Sequence, residues 1–134
     1  MTTWRPSRIP EIHAKEFEAL RAAGGPARIR NFVSRAVSQG WVCGWGDDDV
    51  PRLWPRRILP LWPHPDYAAA GHDTGSPVFY RLDHLLHVHL PIFRFDGTRL
   101  GVFPVERSCA AVLDPPAFGA LLDDSLDGVI EVEP

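Results

Sequence analysis

The ten residues Leu59 to Ala68, LPLWPHPDYA, limit what this chain can fold into more than any other stretch, because Pro60, Pro63 and Pro65 fall within them. Proline fixes its own φ near about −65° and pushes the residue before it out of the α region, so Leu59, Trp62 and His64 are expected to be extended. The chain therefore arrives as a strand and must turn. Pro65 suits the first position of a helix, where its missing N–H costs nothing, and Asp66 in that turn complements the positive end of the helix dipole. Gly71 is the expected stop, and Trp62 is the large apolar anchor between strand and helix. In this reading Leu59, Pro60, Trp62, Pro63, His64, Pro65 and Tyr67 form a structural corner. The chemical alternative is a small hydrolase or isomerase that uses His64 with Asp66 or Tyr67 as acid, base and donor. The segment itself supplies no nucleophile, and the chain contains no G-x-S-x-G, C-x-x-C or H-E-x-x-H pattern.

Ahead of the corner, residues 1 to 10 hold two prolines and no periodicity, so a flexible arm is expected there. A single domain over residues 11 to 124 and an acidic C-terminal tail over 125 to 134 complete the expected organisation. Glu11 to Ala23 reads as a helix stopped by Gly24 and Gly25. Pro26 opens a second helix to Ser38, with Ile29, Phe32, Val33, Ala36 and Val37 at the spacing of one buried face. Arg28, Arg30 and Arg35 fall off that stripe and are expected on a solvated face. Trp41 to Trp45 then alternates as a strand and leads through Gly46 into Asp47, Asp48 and Asp49, read as an exposed hairpin turn. Those three carboxylates lack the alternate spacing of a calcium loop. The prolines of the stretch from Arg52 to Leu61, with LWP at 53 to 55 and again at 61 to 63, imply an edge strand, since an interior one cannot lose N–H donors.

Beyond the corner, Gly71 to Pro77 reads as a loop and Tyr80 to Leu90 as a helix, with Leu82, Leu85, Leu86, His89 and Phe93 on one stripe. On a regular helix His84 and His87 are neighbours and His89 lies well round the cylinder, so no metal site is expected from the three. Pro91 should end or kink that helix. Asp96-Gly97 is a turn, and Arg99 to Val105 and Ser108 to Leu113 should pair as a hairpin through Glu106 and Arg107. Asp114 is a credible N-cap for a last helix with Phe118, Leu121 and Leu122 on its apolar side.

Four segments, WVCGWGDDD at 41 to 49, ILPLWPHPDYA at 58 to 68, LPIFRFDGTRLGVFPVE at 90 to 106 and VLDPPAFGALL at 112 to 122, carry a resemblance. In order and content they resemble the small bacterial family of domain of unknown function 2750. Its landmarks are a tryptophan-bearing strand, an acidic turn, an LPLWP-type segment before a short helix, and a DG turn leading to VFP. The resemblance covers the chain after its first ten residues and implies a fold rather than an activity.

The element order implies an α+β fold: a four-stranded antiparallel or mixed sheet built from two hairpins, with helices packed against it. The formal charge of −3 argues against a general nucleic-acid binder. No apolar run approaches a membrane span, and MTTWRPSRIP lacks the core of a signal peptide, so a cytoplasmic location is expected. In that setting Cys43 and Cys109 are expected as free thiols. No cofactor is implied. Residues 61 to 134 carry eleven acidic and four basic side chains, and acid groups cluster at Asp47, Asp48 and Asp49 and again at Asp123, Asp124 and Asp127. Acidic surfaces speed capture of basic proteins, so the expected function is a non-enzymatic protein-binding module, of the immunity type, with a basic partner. Five tryptophans exceed what a core of this size needs, and exposure of Trp4 or Trp54 would mark a contact surface.

Overall fold

The computed structural model describes residues 4–126, with side chains to Asp123. Two helices come first, α1 (Ala14–Ala22) and α2 (Gly25–Gln39). Gly40 ends the second at φ 83, a left-handed conformation that glycine takes without the Cβ penalty of other residues. The chain reverses there into β1 (Trp41–Asp47), whose residues 41–46 are buried on both faces. β2 (Val50–Pro51), β3 (Ile58–Leu61) and the short helix α3 (Pro65–Ala69) follow. Then come β4 (Ser76–Arg81) and one continuous helical run, made of α4 (Leu82–His84), a π-helical turn (Leu85–His89) and α5 (Leu90–Asp96). β5 (Arg99–Val102), β6 (Ala111–Leu113) and α6 (Pro115–Leu126) complete the fold.

The architecture is mixed α+β, as the element order implies, but the strands divide into two three-stranded sheets in place of one four-stranded sheet. In the first, β1 lies between β2 and β4 and is antiparallel to both. In the second, β5 lies between β3, which is parallel to it, and β6, which is antiparallel. The extra strand is β4, SPVFYR, whose Val78, Phe79 and Tyr80 are buried. Its position absorbs residues expected as loop and helix start, because the leucine pattern that follows runs straight into it.

One residue joins the sheets. Directly after β3, Trp62 exchanges reciprocal backbone hydrogen bonds with Cys43 of β1, at 2.8 and 3.0 Å. Reciprocal pairs of this kind are the unit of an antiparallel ladder, so the corner continues one sheet into the other. β3 is an edge strand within its own sheet, as its proline requires. The carbonyls of Arg57 and Leu61 accept from Arg99 and Phe103, so Pro60, one residue out of phase, turns its missing N–H away from β5.

Of the end or kink expected at Pro91, the end does not occur. The helix continues to Asp96, because the π turn wraps Leu90 N–H back to Leu85 O and breaks the regular ladder where the proline ring would otherwise clash. A further correction concerns the arginines of α2. Arg30 is exposed and Arg35 donates to Glu16 at 2.7 Å, whereas Arg28 is only 7% exposed. Its guanidinium donates to three backbone carbonyls, those of Ala23, Phe103 and Ser108, at 2.9 to 3.0 Å. Planar geometry with several donors is what lets one arginine satisfy carbonyls from three segments.

The core gathers Phe32, Val42, Cys43, Leu61, Leu85, Leu100, Val102, Phe103, Phe118 and Leu122, all fully buried, between the sheets and helices α2 and α6. Cys43 and Cys109 form no disulfide. Burial pushes the Cys109 thiol up to about 11 and the Cys43 thiol higher still. Among the described residues no helix is long and apolar enough to cross a membrane.

Candidate functional site

At the corner, His64 is 2% exposed and both of its ring nitrogens are occupied. Nδ1 accepts from the backbone N–H of Asp66 at 3.0 Å, which caps α3. A nitrogen that accepts has no proton, so the proton sits on Nε2, and Nε2–H donates to Pro10 O at 2.6 Å. The Asp66 carboxylate stands 3.8 Å from the same Nδ1, but a lone pair facing a carboxylate is no ion pair. His64 is thus a neutral cap that ties the segment before α1 to the corner, and the geometry leaves it no proton to exchange with Asp66. His64→Ala is expected to lower stability by about 2–3 kcal/mol, combining loss of an N-cap with a buried carbonyl left unpaired. Urea denaturation measures this, and an unchanged midpoint would contradict it.

Tyr67 stacks on Phe17 with ring centroids 5.2 Å apart and leans on Phe103 at 4.8 Å. Its buried hydroxyl has no hydrogen-bond partner, and burial raises its pKa to about 12. Leu59, Pro60, Trp62 and Pro63 are all buried, and Pro65 opens α3.

The acidic residues do not assemble into one surface. Asp48 and Asp49, at φ 50 and 66, form the two-residue turn between β1 and β2, a conformation suited to the twist of a hairpin. Asp47 is gripped by Arg52 through two hydrogen bonds of 2.7 and 2.8 Å, which hold its carboxyl below the usual carboxylate range. Asp49 lies 3.6 Å from Arg5. Asp48 is the exposed acid of the three that has no cation beside it among the described residues. Asp123 is exposed on α6, the side chain of Asp124 is beyond those described, and Asp127 lies outside the described residues.

The histidines of the long helical run depart from the expected geometry. In a π turn residues five apart share a side, and His84 and His89 meet with ring centroids 5.5 Å apart while His87 makes no ring contact with either. His89 also packs edge-on against Tyr80 at 5.4 Å and along Phe93 at 5.9 Å. Its burial, and secondarily the nearby His84, push His89 below the ordinary histidine range.

A cleft of about 440 Å³ lies beside the corner. Trp54, Trp62, Tyr67 and His72 supply its aromatic surface, while Arg21, Glu106 and Arg107 supply its charge. Trp62 is fixed by its Nε1–H, which donates to Pro104 O at 2.8 Å. His72 is fixed as well: Nδ1–H donates to Ala68 O at 2.7 Å and the ring stacks on Trp45 at 5.2 Å. A carbonyl only accepts, so Nδ1 carries a proton. The segment 103–107 carries strain at two residues. Phe103, fully buried, has φ 45, and Glu106 has φ 57 at the first position of a two-residue turn, where glycine fits at no cost. Of these residues the sequence marked Trp54, Trp62 and Tyr67. Arg21 and His72 went unmarked; Glu106 and Arg107 read as the hairpin connection, which the antiparallel pairing of Val105 with Ser108 bears out, but not as part of a cleft, and no residue type there signals a positive φ.

Comparison with family models, curated proteins and solved structures found no match to any of them.

Proposed function

We propose that the protein is a non-enzymatic module that docks a protein partner. The observation that carries this is the row Val88, Ile92 and Phe95 on the outer side of the helical run, 41%, 54% and 93% exposed. Their i, i+4, i+7 spacing puts them on one face, and leaving a phenylalanine ring almost wholly in water forgoes roughly 2 kcal/mol of burial. Exposed apolar rows that carry an aromatic ring are where partners bind. The flanking acids are already neutralised, Asp83 by Arg81 and Asp96 by Arg57, while Arg94 has no ion pair among the described residues.

The finer form of the proposal is an immunity-type role in which acidic side chains capture a basic partner. Exposed Asp48 and Asp123 support it; Asp47 and Asp49 support it less, since Arg52 and Arg5 already hold them. Membership of the family of domain of unknown function 2750 is likewise proposed, on the four quoted segments.

The test is capture from the source cell's own lysate on immobilised wild type and Phe95→Asp. The expected result is one stoichiometric protein retained by the wild type and lost at least tenfold by the variant, roughly 1.4 kcal/mol or more, with folding stability unchanged within about 0.5 kcal/mol. Equal retention by both, or none by either, would overturn the reading.

A further inference from the structure

We propose that the cleft beside the corner is a binding site for a small planar aromatic molecule bearing one anionic group, a carboxylate or a phosphate. The site lies apart from the helical row and does not depend on it. Its volume, about 440 Å³, is within the range of small-molecule sites, roughly 300–1,000 Å³. Its walls suit a flat apolar body: Trp54 is partly exposed there and Trp62 is immobilised by Pro104 O. The half-buried Trp54 and His72 offer surface against which a ring packs, with the buried Trp62 behind them, and holding Trp62 and His72 beforehand reduces the entropy lost on binding.

Charge selects the sign of the ligand. Two guanidiniums, Arg21 and Arg107, face one carboxylate, Glu106, and neither Arg107 nor Glu106 makes an ion pair among the described residues. Arg21 lies over the Phe17 ring at 5.6 Å, an arrangement that occupies its face, and among the described residues its N–H edges meet no acceptor. Arginine edges with free donors take carboxylate or phosphate oxygens in pairs.

One further observation points to a ligand. Backbone strain at Phe103 and at Glu106 lies in the segment that leads into Arg107, and strain of this kind persists at binding sites where it fixes a geometry.

The experiment is isothermal titration of the full chain with naphthoate, naphthyl phosphate and the uncharged naphthamide. At least one anion should bind with a dissociation constant of about 1 mM or tighter, as a ligand of this size allows. The amide should bind about tenfold more weakly than that anion, and the preferred anion identifies the headgroup. Arg107→Gln, at an exposed turn, should weaken the anion about tenfold and leave the amide unchanged. Gly71→Leu fills the cleft: Gly71 lines it, and a Cβ there meets nothing nearer than Ala68 O at 4.0 Å, so binding of every probe should vanish while the protein stays folded. No binding of either anion at about ten times that concentration, equal affinity for anion and amide, or full binding by Gly71→Leu would each overturn the proposal.

Discussion

Arg28→Met is expected to lose about 3–5 kcal/mol of folding stability, measured by urea denaturation, while Arg30→Met two residues on changes it by no more than about 0.5 kcal/mol. The two side chains sit on the same helix, and only their surroundings differ. Arg30 is exposed, whereas Arg28 is 7% exposed and donates to the carbonyls of Ala23, Phe103 and Ser108. Methionine replaces the stem's packing and removes every donor, so the cost isolates the hydrogen bonds. Arg28→Lys keeps the charge but offers one compact ammonium to three carbonyls approached from different sides, and should recover less than half of the loss. Equal midpoints for Arg28→Met and Arg30→Met would show that the three bonds contribute nothing net.

Trp62→Ala is expected to cost a comparable amount, about 3–5 kcal/mol, the usual loss for deleting a buried tryptophan. The indole is 3% exposed, donates to Pro104 O at 2.8 Å and meets His72 edge-on at 5.9 Å. Trp62→Phe separates these contributions: it keeps most of the apolar bulk, leaves the Pro104 carbonyl unpaired, and should cost about 1–2 kcal/mol. Neither variant touches the backbone bonds to Cys43, so both should retain native far-ultraviolet dichroism below the transition. A loss under about 1 kcal/mol for Trp62→Ala would place the clamp in the backbone alone.

Where local chemistry decides the conformation, the sequence was readable. The stripe through Phe32 and Ala36 fixed α2, the alternation from Trp41 fixed β1, and the prolines fixed both the edge position of β3 and the start of α3. Asp114 caps α6 as its type suggests, accepting from Ala117 N–H at 2.9 Å. β4 was not readable, because Tyr80 and Leu82 belong equally well to the apolar period of the helix that follows. Nor was the continuation through Pro91, which depends on the π turn before it. The burial of Arg28 escaped for a related reason: its acceptors Phe103 and Ser108 lie far along the chain, and periodicity counts an arginine as polar whatever it meets.

The cleft shows the same limit more sharply. Its walls come from residues 54–55, 62–72 and 104–107 with Arg21, segments brought together by the Cys43–Trp62 pair and by the parallel pairing of β3 with β5. Residue types advertised the aromatic content, and topology alone made it one place.

The guanidinium of Arg28 holds Phe103 and Ser108, the residues on either side of the turn that forms one lip of the cleft. A loop pinned at both feet by a single rigid plane cannot flex independently of that plane. Any guest that pries the lip open must therefore tug on the second helix, and whatever pulls on that helix from outside will alter the mouth's width.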